Sequence, residues 1–459
     1  MPERAGDPAR RAAPWQLALG AVVVGYLALG TAYTLLTPPW QAPDEPAHFN
    51  YVAQVAANPW RPPRIAAGDW DAERLEALKA ARFPAGASID GIAYEDHQPP
   101  AYYYLAALAW RAAPGTPLAR LRAVRLIGVG LGLVTVIATF VALWAFVADP
   151  VLAVAGAGFV AFLPMQLAVT SAANNDALAN ALAASALSLA ALRLADRVPD
   201  RVAVGAGGLI AGLAFMTKLT AAPAVVVLAV AELVRAPGRG GYRRAAVRVA
   251  SLSALAFAIA MPWAARNARV YGGWDVFGLR AHDVVVVGQP RTAAWLAEHG
   301  LAAFLQRAAV FSFESFWGVF GWMGVFLDQR IYAALALATA VAGAGALRWA
   351  VVVARDEARG HERRAAIVLG SSAALAVAGF AWYNLGYVQH QGRYVFAALP
   401  AWAGLFLLGL REVAGAVGQR VAGGRGRRLA GAAAMAGFAL GLAGLAWLAL
   451  VRYAVPGLR

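Results

Sequence analysis

The stretch WQLALGAVVVGYLALGTAYTLL, residues 15–36, decides the fold class. It is apolar over about 22 residues, and at a rise of about 1.5 Å per residue such a helix crosses a hydrocarbon layer of about 30 Å. The run is too long for the core of a signal peptide, and the basic segment RAGDPARR precedes it. We therefore expect a retained first span whose amino-terminal tail lies in the cytoplasm.

The rest of the chain continues this apolar pattern. Of its 459 residues 61% are hydrophobic and only 14% are charged. Further candidate spans are residues 98–113, 123–147, 151–171, 175–194, 203–235 (two short helices around Lys218), 246–265, 331–353, 365–385, 393–411 and 429–452. The pattern predicts an all-α polytopic membrane protein, a single transmembrane domain over residues 1–459 with about 11 to 13 transmembrane helices.

The net charge of +15 has its source in arginines that gather in short loops between spans. This is the positive-inside pattern, and it indicates contact with anionic lipid headgroups rather than with nucleic acid. The sequence contains no cysteine, which excludes disulfides, thiolate metal sites and cysteine nucleophiles.

The basic loops also predict the orientation of the chain. Residues 236–247, 354–364 and 411–428 are expected in the cytoplasm, which leaves two large extracytoplasmic loops, 37–97 and 266–330, with juxtamembrane helices. The first has helical stretches at 44–57 and 71–82, and the second carries FSFESFWGVFGWM, which suggests surface-lying or re-entrant helices.

Counting spans from the N-terminus and counting them from the C-terminus place residues 174–176 on opposite sides of the membrane. A short or doubled helix within 117–147 would resolve the conflict.

The segment after the first span, PPWQAPDEPAHFNY (38–51), is the first candidate for chemistry. Prolines end the span, and acids with an early proline suit a helix that begins near Asp44. Asp44, His48 and Tyr51 then fall on one helix face at the membrane surface. They form either a catalytic acid with polar neighbours facing a cavity, or an N-terminal cap with a solvated face.

The second candidate is YEDHQPPAYYYLAAL (94–108), where Glu95, Asp96, His97 and Gln98 precede a double proline and are held extended. The three tyrosines are typical of an interfacial belt. Both acidic clusters lie beside the membrane. Either helix packing brings them together in one site, or they are ordinary juxtamembrane polar residues.

Three further polar groups lie at or within apolar segments. Asp176, in SAANNDALAN, is costly in a membrane unless it faces a cavity or a partner. Lys218, in AFMTKLTAAP, either binds a phosphate or snorkels from a short helix end. Arg393, in YVQHQGRYVFAALPA, either makes a bidentate phosphate contact or contacts headgroups.

Several motifs are absent from the sequence. It holds no P-loop, no dinucleotide-binding glycine fingerprint and no H-E-x-x-H zinc motif. Neither ATP-driven transport nor a cytosolic sugar-nucleotide donor is supported.

These segments together resemble a bacterial membrane family related to the GT-C glycosyltransferases, the superfamily of protein mannosyltransferases and aminoarabinose transferases. The resemblance rests on PDEPAHF, EDHQPPAYYYL, SAANNDALA, GLAFMTKLTAAP, WAARNARVYGGWDVFG, FESFWGVFGWMG and QGRYVFAALPA, across residues 38–400.

The resemblance implies a multi-pass enzyme of the bacterial plasma membrane. It implies transfer of a sugar from a polyprenyl-phosphate donor, on the outer face, to a lipid, glycan or protein acceptor. Asp44 matches the family's base in the first external loop, with Glu45 as its neighbour. Glu95, Asp96, Asp176 and Lys218 match more loosely, and Arg393 resembles a late basic residue near the lipid phosphate. Some relatives have a lysine where this chain has His97 and Gln98.

The chemistry of the residues is compatible with this function. A carboxylate removes the proton of the attacking hydroxyl, while Lys218 or Arg393 stabilises the leaving phosphate, and a one-step attack predicts inversion. A metal is optional; Asp44, Glu45, Asp96 or Asp176 would supply oxygen ligands for Mg²⁺ or Mn²⁺. The alternatives are a transporter or flippase of a lipid-linked glycan, and a noncatalytic assembly partner in which Asp44 is dispensable.

Overall fold

The computed structural model describes residues 13–238 and 241–459, so most of the predicted cytoplasmic tail lies outside the described residues. The helices are α1 (Pro14–Leu36), α2 (Glu45–Ala57), α3 (Ala72–Ala80), α4 (Ala101–Ala112), α5 (Pro117–Val147), α6 (Pro150–Phe162), α7 (Pro164–Thr170), α8 (Asp176–Leu194), α9 (Asp200–Phe215), α10 (Ala224–Arg235), α11 (Gly241–Tyr271), α12 (Leu279–Val285), α13 (Thr292–Trp317), α14 (Gln329–Arg355), α15 (Gly360–Gly386), α16 (Leu399–Leu448) and α17 (Val455–Leu458). Strands β1 (Val319–Phe320) and β2 (Val325–Phe326) form an antiparallel hairpin. The chain is an all-α polytopic membrane protein, as predicted.

The number of spans depends on how broken helices are counted. Within the described residues seven helices are long and apolar enough to cross a membrane, or eight with α6 and α7, which meet at a 61° bend. α16 turns back on itself at Ala422 and Gly423, whose φ/ψ angles are non-helical, and Arg427 then pairs with Glu412 at 3.3 Å. Counting its two arms separately and adding α9 and α10, the latter extended by 3₁₀ turns at Leu219–Ala221 and Ala236–Gly238, brings the described total to eleven.

The predicted break around Lys218 is confirmed. α9 ends at Phe215, a short 3₁₀ turn covers Leu219–Ala221, and α10 begins at Ala224. Lys218 itself has extended backbone angles between them. The polar side chain therefore sits on a loop where two helices end rather than inside an apolar helix.

α4 resolves the conflict about the side of residues 174–176, and the expected doubled helix in 117–147 is wrong. α5 is continuous over Pro117–Val147. α4 has 12 residues, a length of about 18 Å, which is too short to cross. Near the start of α5, Arg125 bonds the carbonyl of Thr37, at the end of α1. α5 thus starts where α1 ends, and the predicted span at 98–113 does not cross.

We call this end of the bundle the site end. Two long segments meet there, one between α1 and α5 and the other between α11 and α14. Trp322 donates to the carbonyl of Trp40 at 3.0 Å, and Trp70 donates to that of Val287 at 2.8 Å. The predicted helices at 44–57 and 71–82 correspond to α2 and α3. The aromatic stretch FSFESFWGVFGWM, for which surface-lying or re-entrant helices were predicted, divides between the end of α13 and the hairpin.

Packing of the helices places α8 at the centre of the bundle. Most of its apolar span is buried, whereas α1, α11 and α14 bury less than a quarter of theirs. Large apolar side chains such as Leu17, Val24 and Leu337 are exposed on these outer helices. Helices that are apolar all round suit an inner position, and the outer helices present their apolar faces to lipid.

Because the chain has no native cysteine, single cysteines test this topology directly. We expect Ala85→Cys, before α4, and Gly115→Cys, after it, to react with a membrane-impermeant maleimide from the same side of the membrane. Ala358→Cys, between α14 and α15, is expected to react only from the other side. Labelling of positions 85 and 115 from opposite sides would show that α4 crosses.

Candidate functional site

Asp44 stands at the start of α2 but does not cap it. Its backbone has φ 65°, in the left-handed region, which aspartate tolerates better than most side chains. The carboxylate makes no hydrogen bond to the first turn of the helix. It instead accepts one hydrogen bond from the Tyr94 hydroxyl at 2.9 Å and one from the Arg393 guanidinium at 3.2 Å. The capping alternative therefore does not explain this residue.

Four charged side chains form a continuous chain of contacts at the site end. Arg393 reaches Asp44 with one terminal nitrogen and lies 3.6 Å from the carboxylate of Asp176 with the other. The Lys218 ammonium pairs with the second oxygen of Asp176. The side chain of Asp44 is 30% exposed, against 6–16% for the other three. Residues from four distant parts of the sequence thus converge, with Asp44 nearest to solvent.

Local structure explains why these side chains meet. Asp176 begins α8, and its backbone N–H donates to Asn174 at 3.0 Å, which shapes the turn after α7. Arg393 lies in a 3₁₀ turn (Gly392–Ala398) packed on α13, where Gly392 donates to Ser315 at 2.8 Å. A Cβ atom on Gly392 would overlap the backbone of α13. Close packing at this glycine sets the position of Arg393.

The second acidic cluster contributes to the same region through Glu95 and Gln98. Gln98 donates to Glu95 at 2.9 Å and accepts from Asn175 at 3.3 Å, next to Asp176. His48 is buried and lies 2.8 Å from the Tyr103 hydroxyl, close enough to Glu95 and Asp44 to feel both charges. Burial is the largest influence on the pKa of His48 and lowers it. The two clusters bracketing the first loop therefore do meet.

Asp96 and His97 face other parts of the site end. Asp96 is 2% exposed and accepts from Gln54 at 2.9 Å, and burial raises the pKa of Asp96 to about 8. His97 packs on His282 with ring centroids 4.5 Å apart, and burial together with His282 holds the pKa of His97 well below its usual value. Neither side chain joins the contacts around Asp44.

Glu45 and Arg125 form a completely buried ion pair that we call the clamp. Two guanidinium nitrogens of Arg125 donate to the carboxylate at 2.8 and 2.6 Å, and the side chain also bonds carbonyls at the end of α1. Glu45 further accepts from the backbone N–H groups of Trp40 and Ala173 at 3.0 Å each. The clamp joins α1, α2, α5 and the segment that leads to Asp176. This placement occupies the Glu45 carboxylate and opposes a role for it as base.

The four acids suggested as ligands for Mg²⁺ or Mn²⁺ do not form one set. Glu45 is held by Arg125 and Asp96 by Gln54. The guanidinium of Arg393 stands between Asp44 and Asp176, where a metal bridging them would have to lie. Across residues 13–238 and 241–459, no group of three or more metal-ligating acidic or histidine side chains is found. The arrangement does not fit a divalent ion, and we derive no step through one.

Two residues that bond Asp44 and Glu45 were not identified from the sequence, and the tyrosines of α4 were misassigned. Tyr94, which holds Asp44, and Arg125, an isolated arginine in an apolar run, were not singled out, although an arginine within a span is a signal in itself. The interfacial belt is wrong for Tyr102 and Tyr103, which are fully buried. Tyr103 stacks on Tyr51 with a centroid distance of 3.6 Å and so fastens α4 to α2.

No family model matches the sequence, and no curated protein matches it. Solved structures do match in fold. The oligosaccharyltransferase of Archaeoglobus fulgidus in the apo form aligns with TM-score 0.55 and 14% identity over 93% of this chain and 56% of that one. ArnT from Cupriavidus metallidurans in the apo state aligns with TM-score 0.52 and 16% identity over 96% of this chain and 73% of that one.

The archaeal oligosaccharyltransferase AglB from A. fulgidus, in complex with an inhibitory peptide and a dolichol-phosphate, aligns with TM-score 0.51 and 15% identity over 96% of this chain and 55% of that one. The chain thus spans about half the length of the oligosaccharyltransferase structures. At this identity the likeness concerns the fold alone, and the chain has the membrane fold of these structures.

The clamp predicts a strong and non-additive effect on stability. Arg125→Met leaves the Glu45 carboxylate buried without its cation, which costs about 3–5 kcal/mol of folding free energy. In the double variant Glu45→Gln/Arg125→Met the charge is gone, so we expect a smaller loss. Thermal unfolding of the purified protein measures both. A double variant less stable than Arg125→Met alone would contradict the importance of the buried charge.

Asp96 predicts a pH-dependent stability. Its pKa of about 8 in the folded protein exceeds the unfolded value of about 3.9, so the folded state holds the proton more tightly. Wild-type stability should fall as pH rises from about 4 to about 8, and Asp96→Asn should remove this contribution. The difference in unfolding temperature, Asp96→Asn minus wild type, should therefore be more positive at about pH 8 than at about pH 5. A constant difference would contradict the prediction.

Proposed function

We propose that this chain is a membrane glycosyltransferase that moves a sugar from a polyprenyl-phosphate donor to an extracytoplasmic acceptor, with Asp44 as general base. The observation that carries the proposal is the contact chain of Asp44, Arg393, Asp176 and Lys218 at one end of the bundle. It supplies a carboxylate partly open to solvent beside two cations. The fold likeness to the GT-C transferases adds support.

In the proposed reaction the acceptor hydroxyl attacks the anomeric carbon of the donor sugar. Its oxygen forms the new bond, and its proton passes to the carboxylate of Asp44, a step that contributes about 10²- to 10⁴-fold in rate. The bond between the anomeric carbon and the phosphate oxygen breaks, and the electron pair remains on the phosphate. A single displacement of this kind inverts the configuration at the anomeric carbon.

Lys218 and Arg393 are the proposed stabilisers of the leaving phosphate. Both are mostly buried, where a charge acts more strongly than in water. Both are already paired with carboxylates, so binding the donor would redirect part of each cation from Asp176 to phosphate. Asp176 then acts as the group that holds the two cations in place before the donor binds.

Tyr94 is proposed to orient the base. Its hydroxyl donates to one oxygen of Asp44 while Arg393 donates to the other, which fixes the carboxylate plane. Burial and the charge of Asp44 place the pKa of Tyr94 well above its usual value, so the hydroxyl keeps its proton. Glu95, from the second acidic cluster, and His48, on α2, are proposed to contact substrate.

The transporter alternative finds less support. Secondary transporters concentrate their coupling residues near the middle of the bilayer. The described buried charges of this chain lie instead at the ends of the bundle: the site residues at one end, and the group of Arg193, Glu232 and Arg248 at the other.

The proposal is tested by sugar transfer from radiolabelled polyprenyl-phosphate sugars in membranes that contain the protein. Asp44→Asn is nearly isosteric but cannot take the proton, so we expect transfer to fall about 10²- to 10⁴-fold. Asp90→Asn is the matched control, because Asp90 is exposed in the same loop and its carboxylate makes no contact in the site. Both variants are checked by thermal unfolding.

The outcomes separate the parts of the proposal. Unchanged transfer by a folded Asp44→Asn protein would remove Asp44 from the mechanism while leaving the enzyme. A wild-type protein that transfers no sugar from any of the donors would contradict the glycosyltransferase itself and favour the transporter.

A further inference from the structure

An open cavity borders the candidate site on the side of Pro43. It lies between the end of α1, α7, the β1–β2 hairpin and the last residues of the chain, and its empty volume, opening included, is about 550 Å³. Its wall includes Pro43, Met165, Val169, Phe320 and Leu458. We call it the hairpin cavity.

The walls of the hairpin cavity offer few free polar groups. Three of its polar side chains are bonded within the protein: Tyr33 donates to the carbonyl of Ala446 at 2.8 Å, Ser171 to that of Gly30 at 3.0 Å, and Asn174 to that of Val169 at 2.9 Å. A ligand rich in hydroxyls or amides would lose hydrogen bonds to water here without recovering them, which is costly. The walls suit a hydrocarbon portion.

Two arginines border the cavity, and they differ in availability. Arg125 is fully engaged by Glu45 and by backbone carbonyls. Arg393 is shared with the candidate site, and its contact with Asp176 is a loose 3.6 Å. The cavity is therefore an apolar space that ends at one cation and at the residue before Asp44.

We propose that the hairpin cavity holds the apolar part of the acceptor, which makes the acceptor an amphiphilic lipid rather than a peptide or a glycan. This inference rests on the proposed function. Ala42 and Pro43, in the cavity wall, directly precede the proposed base, so a hydroxyl at the head of the lipid would reach Asp44. Lys218, the proposed phosphate contact, is not part of the wall, so the donor lies on the other side of Arg393.

The same apolar chemistry would also suit the prenyl tail of the donor, and the experiment separates the two sources. The full-length protein in lipid nanodiscs is exposed to two photoreactive probes of matched chain length. One is a phosphate-free dodecylglycerol ether with a diazirine in its chain, and the other is farnesyl phosphate, whose main chain has the same number of carbons, with the same group. Mass spectrometry then locates the labelled residues.

We expect the ether to label residues 165–172 and 319–321 in wild type, with farnesyl phosphate labelling other segments. Ala168→Phe places a phenyl ring in the cavity and should weaken labelling by about tenfold. Ala336→Phe, at an exposed position of α14, is the matched control and should label as wild type does.

Three results would overturn the inference: labelling of these segments by farnesyl phosphate alone, equal labelling by both probes, and labelling by neither. The wild-type map decides between them even where Ala168→Phe fails to fold. Labelling needs no turnover, so it is independent of the proposed function. Ether labelling without any sugar transfer would reject the transferase and keep the amphiphile site, and transfer without ether labelling would reject the acceptor class alone.

Discussion

The buried pair of Glu45 and Arg125 is the constraint on which the site end depends. A carboxylate and a guanidinium taken out of water are tolerable only when each hydrogen-bonding position is filled. Here the carboxylate is filled by two guanidinium nitrogens and two backbone N–H groups. These groups belong to Arg125 on α5, to Trp40 just after α1 and to Ala173 just before Asp176. Because all of them bond Glu45, the ion pair fixes the positions of Asp44 and Asp176 relative to each other.

The candidate site itself is held by a balance of opposite charges. Arg393 and Lys218 are mostly buried, and such cations need partners in a low-dielectric environment. Asp44 and Asp176 are those partners. Asp44 is bonded by donors only, the Tyr94 hydroxyl and the Arg393 guanidinium, while the two cations lie where a phosphate would replace part of their pairing. The side chains that stabilise this charge network are the same ones that take part in the proposed chemistry.

The packing of α4 explains why the membrane topology differs from the one predicted by counting apolar segments. α4 is apolar enough to suggest a span, but it is short, and its tyrosines pack inward on α2 instead of meeting lipid. Hydropathy measures the cost of exposure to water and does not distinguish burial against protein from burial in lipid. The single-cysteine labelling pattern therefore reports on protein packing as much as on membrane topology.

The sequence by itself determined the class of fold and most candidate residues. Long apolar runs allow only helices across a bilayer, and charged residues beside them are expensive enough to mark function, so Asp44, Asp176, Lys218 and Arg393 were all identifiable. Only the tertiary structure decided which acids share a site. It separated Asp44 from its neighbour Glu45, because adjacent residues at a helix start point in different directions. The arginines that pair with these two acids lie 80 and 349 residues away along the chain.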